Sequence, residues 1–126
     1  MKNSIFNKYY FIPFAERSNT FDGCDCYGFV QLWYKKELGI ELKQYCFCPR
    51  EISDDFMKKE AQSVFTTETD FKDHDALILK DPWDKPKHAG IFYGGYIAHM
   101  SRSRGLLVEK LFDARNKVIS IHRYKA

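Results

Sequence analysis

Asp25-Cys26-Tyr27-Gly28-Phe29-Val30-Gln31-Leu32-Trp33-Tyr34-Lys35-Lys36-Glu37-Leu38-Gly39 is the stretch whose reading decides the fold. Phe29, Val30, Leu32, Trp33 and Leu38 recur at helical spacing, and Lys35-Lys36-Glu37 supplies a solvated patch. Asp25 is a suitable N-cap and Gly39 stands where a helix ends, so a helix over Cys26–Leu38 is predicted. Its apolar residues cover more than one face, which makes it a central and largely buried helix.

Upstream, Phe21-Asp22-Gly23-Cys24 reads as a turn, with Gly23 free to take a positive φ. Before it, Tyr9, Tyr10, Phe11, Pro13 and Phe14 describe a packed N-terminal arm or a single helical turn. Downstream, residues 40–49 form a connection. Ser53 then caps a second amphipathic stretch with Phe56, Met57, Ala61, Val64 and Phe65 on its buried side, and Thr66-Thr67-Glu68-Thr69-Asp70 breaks it.

After Asp75 the pattern is one of strands and turns. Ala76-Leu77-Ile78-Leu79 is a short buried strand. Residues 89–93 and 96–100 flank Gly94-Gly95, a two-residue hairpin signal, and residues 106–108 and 118–122 supply two more strands. Helices first and an antiparallel sheet of about five strands second define an α+β fold. With 126 residues, the chain is expected to be a single domain spanning 1–126.

Composition excludes several classes. The chain is 44% hydrophobic and 17% aromatic, enough for a real core. A net charge of +3, with acidic and basic residues interspersed, carries no nucleic-acid footprint. No run of about 18 apolar residues occurs, so no membrane span is expected. The N-terminal residues lack the apolar run of a signal peptide, and the expectation is synthesis in the cytoplasm without export by that route. The four cysteines fall in two pairs, Cys24/Cys26 and Cys46/Cys48. Their Cys-x-Cys spacing is tighter than structural zinc sites use, and metal binding is not expected.

Chemistry concentrates at Cys26. The positive end of a helix favours a thiolate, and its first amides can donate to an oxyanion. A thiol nucleophile needs a base, and the base needs an orienter on its other ring nitrogen. Pairing across Gly94-Gly95 sets Tyr93 opposite Tyr96, so residue 99 faces about residue 90 and His88 faces about residue 101. His88 and His99 are then diagonal neighbours at one end of the hairpin. His74 and His122 have no such company and read as surface or strand-end residues.

The run Phe21 to Val30, the run His88-Ala89-Gly90-Ile91-Phe92-Tyr93-Gly94 and the segment Tyr96-Ile97-Ala98-His99 together resemble the NlpC/P60 family of cysteine peptidases. Within it the chain is similar to the short phage tail-assembly type, in the Leu38-Gly39-Ile40 helix end and the closing His122-Arg123-Tyr124. The resemblance covers residues 9 to 125. It implies a papain-like core and a catalytic trio of Cys26 as nucleophile, His88 as general base and His99 as its orienter. Asp25, Tyr27 and Tyr10 are the implied substrate or oxyanion contacts, with no cofactor. The implied reaction is hydrolysis of an amide bond in peptidoglycan stem peptides, typically between D-glutamate and diaminopimelate. Phage tail proteins are implied partners, and virion association or delivery to the cell wall an implied destination. A structural tail component, or an acyltransferase or amidase on a non-wall substrate, are the alternatives.

Three departures from the family pattern stand out. Phe14 occupies the place of a family tyrosine, so Tyr9 or Tyr10 would have to take over its hydroxyl. His74-Asp75 replaces a Gly-Asp before the first strand. Cys24 lies beside the nucleophile, where a bridge to Cys26 would silence it.

Overall fold

The computed structural model describes residues 4–16, 18–42, 64–80 and 88–125. The second amphipathic stretch expected after Ser53 as far as Ala61, most of the connection before it and the Cys46/Cys48 pair lie outside them.

The central helix forms as its sequence dictates. Helix α1 spans Cys26–Trp33, and the Asp25 side chain accepts a hydrogen bond from the Gly28 amide at its start. The helix runs on as a wider π turn over Tyr34–Leu38 and stops at Gly39, which takes φ 67°. The carbonyls of Lys35 and Tyr34 accept from the Gly39 and Ile40 amides, closing the end. All of α1 except Gln31 is buried, in keeping with apolar residues on more than one face.

Strands β1 (Asn19–Thr20) and β2 (Gly23–Cys24) form a small antiparallel ribbon ahead of α1. The main sheet follows, with β3 (Phe65–Glu68), β4 (Ala76–Leu79), β5 (His88–Tyr93), β6 (Tyr96–Ser101), β7 (Gly105–Lys110) and β8 (Val118–Tyr124). These six strands are ordered β3-β8-β4-β5-β6-β7, and every neighbouring pair is antiparallel. Gly94 and Gly95 both adopt positive φ, 58° and 85°, and set Tyr93 opposite Tyr96 as the hairpin signal requires.

Helix α1 packs on β5 and β6. The main core lies on that face and centres on Trp33, whose ring meets Phe6, Tyr9, Phe29 and Tyr93. Phe6 and Tyr9 come from an N-terminal 3-10 turn over Ser4–Tyr9, the packed arm of the sequence reading. A smaller cluster of Leu77, Leu79, Phe92, Ile97 and Ile121 fills the opposite face under Ala114 of the one-turn helix α2 (Leu111–Ala114).

Two expectations are corrected. Phe65, expected on the buried side of the second amphipathic stretch, instead opens a strand that Thr66 to Glu68 continue, because pairing with β8 sets Phe65 opposite Tyr124 and the two rings meet edge to face. Among the described residues the main sheet therefore has six strands, against about five expected. The region after Asp75 also holds α2, where the chain turns between β7 and β8 and buries Ala114 while leaving Phe112 in solvent.

Candidate active site

Cys26 is the first residue of α1 and is 3% exposed. Two backbone features shape its surroundings. The Asp25 carboxylate and carbonyl take the amides of Gly28 and Phe29, at 2.6 and 2.8 Å. A Cβ at position 28 would lie 1.8 Å from the Ser18 carbonyl oxygen, so glycine there lets the preceding loop lie against the first helical turn. The missing side chain at position 28 leaves a space beside the first helical turn. The Ser18 backbone occupies it.

His88 opens β5, the strand on which α1 packs, and His99 lies on β6. His88 Nε2 is 2.8 Å from His99 Nδ1, and the rings stand perpendicular with centroids 4.8 Å apart. The diagonal placement expected from the hairpin register is what the strands produce. Gly90 permits it: a Cβ there would come within 2.8 Å of the Ala98 carbonyl oxygen and 3.2 Å of His99 Cβ.

The sequence reading missed what lies beyond His99. Its Nε2 is 2.7 Å from Glu109 Oε2, and Glu109 Oε1 accepts from Lys117 Nζ at 2.8 Å. Burial holds His99 below the usual histidine range, outweighing the opposing pull of Glu109. Burial pushes Glu109 up, but its bonds to Lys117 and His99 prevail and hold it below the usual carboxylate range. The available signal was the alternation of β7, which sets Glu109 on the same face as the partner of His99, Leu107.

No disulfide joins Cys24 and Cys26. Cys24 is fully buried in β2, and burial, with the nearby Asp25 carboxylate and Cys26, pushes its thiol up to about 12. It is a protonated core residue at neutral pH.

The remaining candidates fall elsewhere. Asp25 serves as the helix cap, Tyr27 packs in the main core, and Tyr10 stands on the surface beyond the N-terminal turn. Tyr9 does not supply the hydroxyl that Phe14 lacks, because its own is committed to Glu37 in the interior. Phe14 bridges to Cys24, and the Arg102 guanidinium lies 5.0 Å over its ring while pairing with Glu16.

His74, read as a surface or strand-end residue, lies half-buried just ahead of β4. It takes φ 75° where the family has glycine, accepting from Trp33 Nε1 at 3.0 Å while its carbonyl accepts from the Tyr34 hydroxyl. His122 lies on β8, half-buried and 2.7 Å from the Ser120 hydroxyl. Among the described residues no group of three or more His, Cys, Asp or Glu side chains is arranged to hold a metal ion. None of their helices is long and apolar enough to cross a membrane.

A helix-start thiol beside a sheet that carries a hydrogen-bonded histidine pair defines the class of site. The NlpC/P60 family model matches residues 12–120, and the chain belongs to the NlpC/P60 family. Among solved structures it is similar to the NlpC/p60 domain of peptidoglycan hydrolase SagA, at 18% identity and TM-score 0.62, covering 91% of this chain and 89% of that one. It is also similar to an NLP/P60 family lipoprotein-like protein from Staphylococcus aureus, at 15% identity and TM-score 0.62 over 96% of this chain. An NlpC/P60 family protein from Bacillus cereus matches at 18% identity and TM-score 0.60 over 90% of this chain. The chain spans 39% and 35% of those two longer proteins. No curated protein sequence matches it significantly.

Proposed function

We propose that the protein is a cysteine hydrolase that cleaves an amide bond of peptidoglycan stem peptides, between D-glutamate and diaminopimelate, through a thioester on Cys26. The observation that carries this reading is the His88–His99 hydrogen bond at the end of the hairpin on which α1 packs. Family membership and the fold shared with a peptidoglycan hydrolase support the substrate class.

The chemistry runs in two halves. His88 accepts the Cys26 thiol proton as sulfur attacks the amide carbonyl, and His99 holds the imidazole in place. The tetrahedral oxyanion collapses, the C–N bond breaks, and the amine leaves with the proton from His88. Water then attacks the thioester with His88 again as base, which releases the carboxylate and restores the thiol. The positive end of α1 favours both the thiolate and the oxyanion.

The test is digestion of purified peptidoglycan fragments by wild type and Cys26→Ala, with products identified by mass. The wild type should release fragments ending in D-glutamate, and Cys26→Ala should release none. Wild-type activity no greater than that of the variant would favour a structural role, such as a phage tail component. Turnover of other acyl donors alone would favour a non-wall amidase.

A further inference from the structure

The hydrogen bonds beyond His99 form a directed chain. Glu109 is paired across the sheet with Ile97, two residues from His99 on the same face of β6, and its carboxylate bridges to Lys117 in the turn before β8. A carboxylate held ionised by an ammonium only accepts hydrogen bonds. His99 Nε2, 2.7 Å away, must therefore carry the proton. In a neutral imidazole that leaves His99 Nδ1 with a lone pair, so the proton in its 2.8 Å bond with His88 Nε2 belongs to His88. His88 then holds its other lone pair on Nδ1.

We propose that Glu109 is a positioning residue: through His99 it sets His88 in the tautomer whose Nδ1 can accept a proton. The inference rests on reading Cys26 and His88 as nucleophile and base. It assigns to a residue on β7 the choice of which nitrogen of a histidine on β5 is basic. The groups facing His99 in this arrangement are His88 on β5, Glu109 on β7 and Lys117 before β8. When His88 takes up a proton, the Glu109 carboxylate lies at the far end of the same chain to stabilise it. Lys117 has a matching role, since its ammonium occupies the second carboxylate oxygen and keeps Glu109 charged.

Lys117 also makes the test sharp. In Glu109→Gln the ammonium draws the amide oxygen, which turns the NH2 toward His99 Nε2 and makes that nitrogen an acceptor. His99 would then protonate at Nδ1 and donate to His88 Nε2, leaving His88 protonated at Nδ1 and unable to act as base. Nitrogen NMR of the full chain with labelled histidine reads these tautomers without reference to activity. Wild type and Lys117→Met should both show His99 protonated at Nε2, and Glu109→Gln should show it at Nδ1. On stem-peptide fragments, kcat of Glu109→Gln should fall on the order of 10²–10⁴-fold with little change in KM, as expected when a base is held in the wrong tautomer. Adding Lys117→Met to Glu109→Gln frees the amide oxygen to face His99 and should restore both the tautomer and most of kcat. An unchanged His99 tautomer in Glu109→Gln overturns the proposal, as does kcat within about 2-fold of wild type where Cys26→Ala is inactive. Equal activity of wild type and Cys26→Ala instead overturns the reading of the thiol, and the tautomer measurement still decides the role of Glu109.

Discussion

His99 stands edge-on to His88, with 2.8 Å between Nδ1 of the first and Nε2 of the second and 90° between their rings. Both imidazoles come from one hairpin, and the approach depends on the missing side chain at Gly90. Gly90→Ala should therefore damage the pair as well as the fold. Its Cβ would meet a backbone oxygen at 2.8 Å, and overpacking of this kind costs about 1–3 kcal/mol. Gly28→Ala is worse placed, 1.8 Å from the Ser18 oxygen, and should cost at least as much. Urea unfolding of both variants checks the order. Stability of Gly28→Ala equal to wild type would contradict the packing described.

Two histidines, His99 buried and His122 half-buried, fix the sign of an acid response. His99 and His122 are both held below the ordinary value of 6.5, chiefly by burial. The unfolded chain therefore binds more protons than the folded one as pH falls below 6.5. The stability that the neutral rings contribute is fully present above 6.5 and is lost as pH falls toward their folded values. Glu109, held below its ordinary 4.5, adds a loss in the same direction further into acid. Thermal unfolding should show Tm falling from pH 7 to pH 5, and His122→Gln should flatten part of that slope. A Tm that rises on acidification would refute this.

The two neighbouring thiols should behave differently. Cys24 is pushed up to about 12 and fully buried, so it is inert near neutrality. Iodoacetamide at pH 7.5, with Cys46 and Cys48 replaced by Ser, should label Cys26 at least ~10-fold faster than Cys24. Peptide mass mapping reads the ratio. Equal labelling would place both thiols in the same environment and contradict the assignment.

Arg123 at the end of β8 should prove the most costly charged residue to lose. Its guanidinium meets both carboxylate oxygens of Asp75 at 2.9 Å, and Asp75 is 1% exposed at the mouth of β4. Arg123→Met strands that charge, at a cost of about 3 kcal/mol, near the low end for buried pairs because Arg123 is a quarter exposed. Arg123→Lys should recover little, since an ammonium cannot meet both oxygens in plane. Urea midpoints of the two variants check this.

What was legible in the sequence was local. The capped period of Asp25 to Gly39 specified α1, and Gly94-Gly95 specified the register that joins His88 to His99. What escaped was set by distant pairing. Thr66 and Thr67 read as a break because the strand that recruits them lies near residue 123. Glu109 escaped because its place beside His99 depends on the β6–β7 register, fixed by a turn through Arg102 to Arg104 with Gly105 at φ 73°. Nothing in that turn announces itself as the Gly-Gly pair does. His74 escaped for a different reason: its left-handed backbone is held by Trp33 and Tyr34, partners about forty residues away in the chain.

The central claim is that the Cys26 sulfur becomes acylated during turnover. Acid-quenching the protein during cleavage of stem-peptide fragments, followed by peptide mass analysis, observes this directly. The account predicts an acyl increment on the peptide containing Cys26, present in wild type, absent in Cys26→Ala, and accompanied by loss of cleavage in that variant. Cleavage by Cys26→Ala at the wild-type rate, with no increment on either protein, would contradict it.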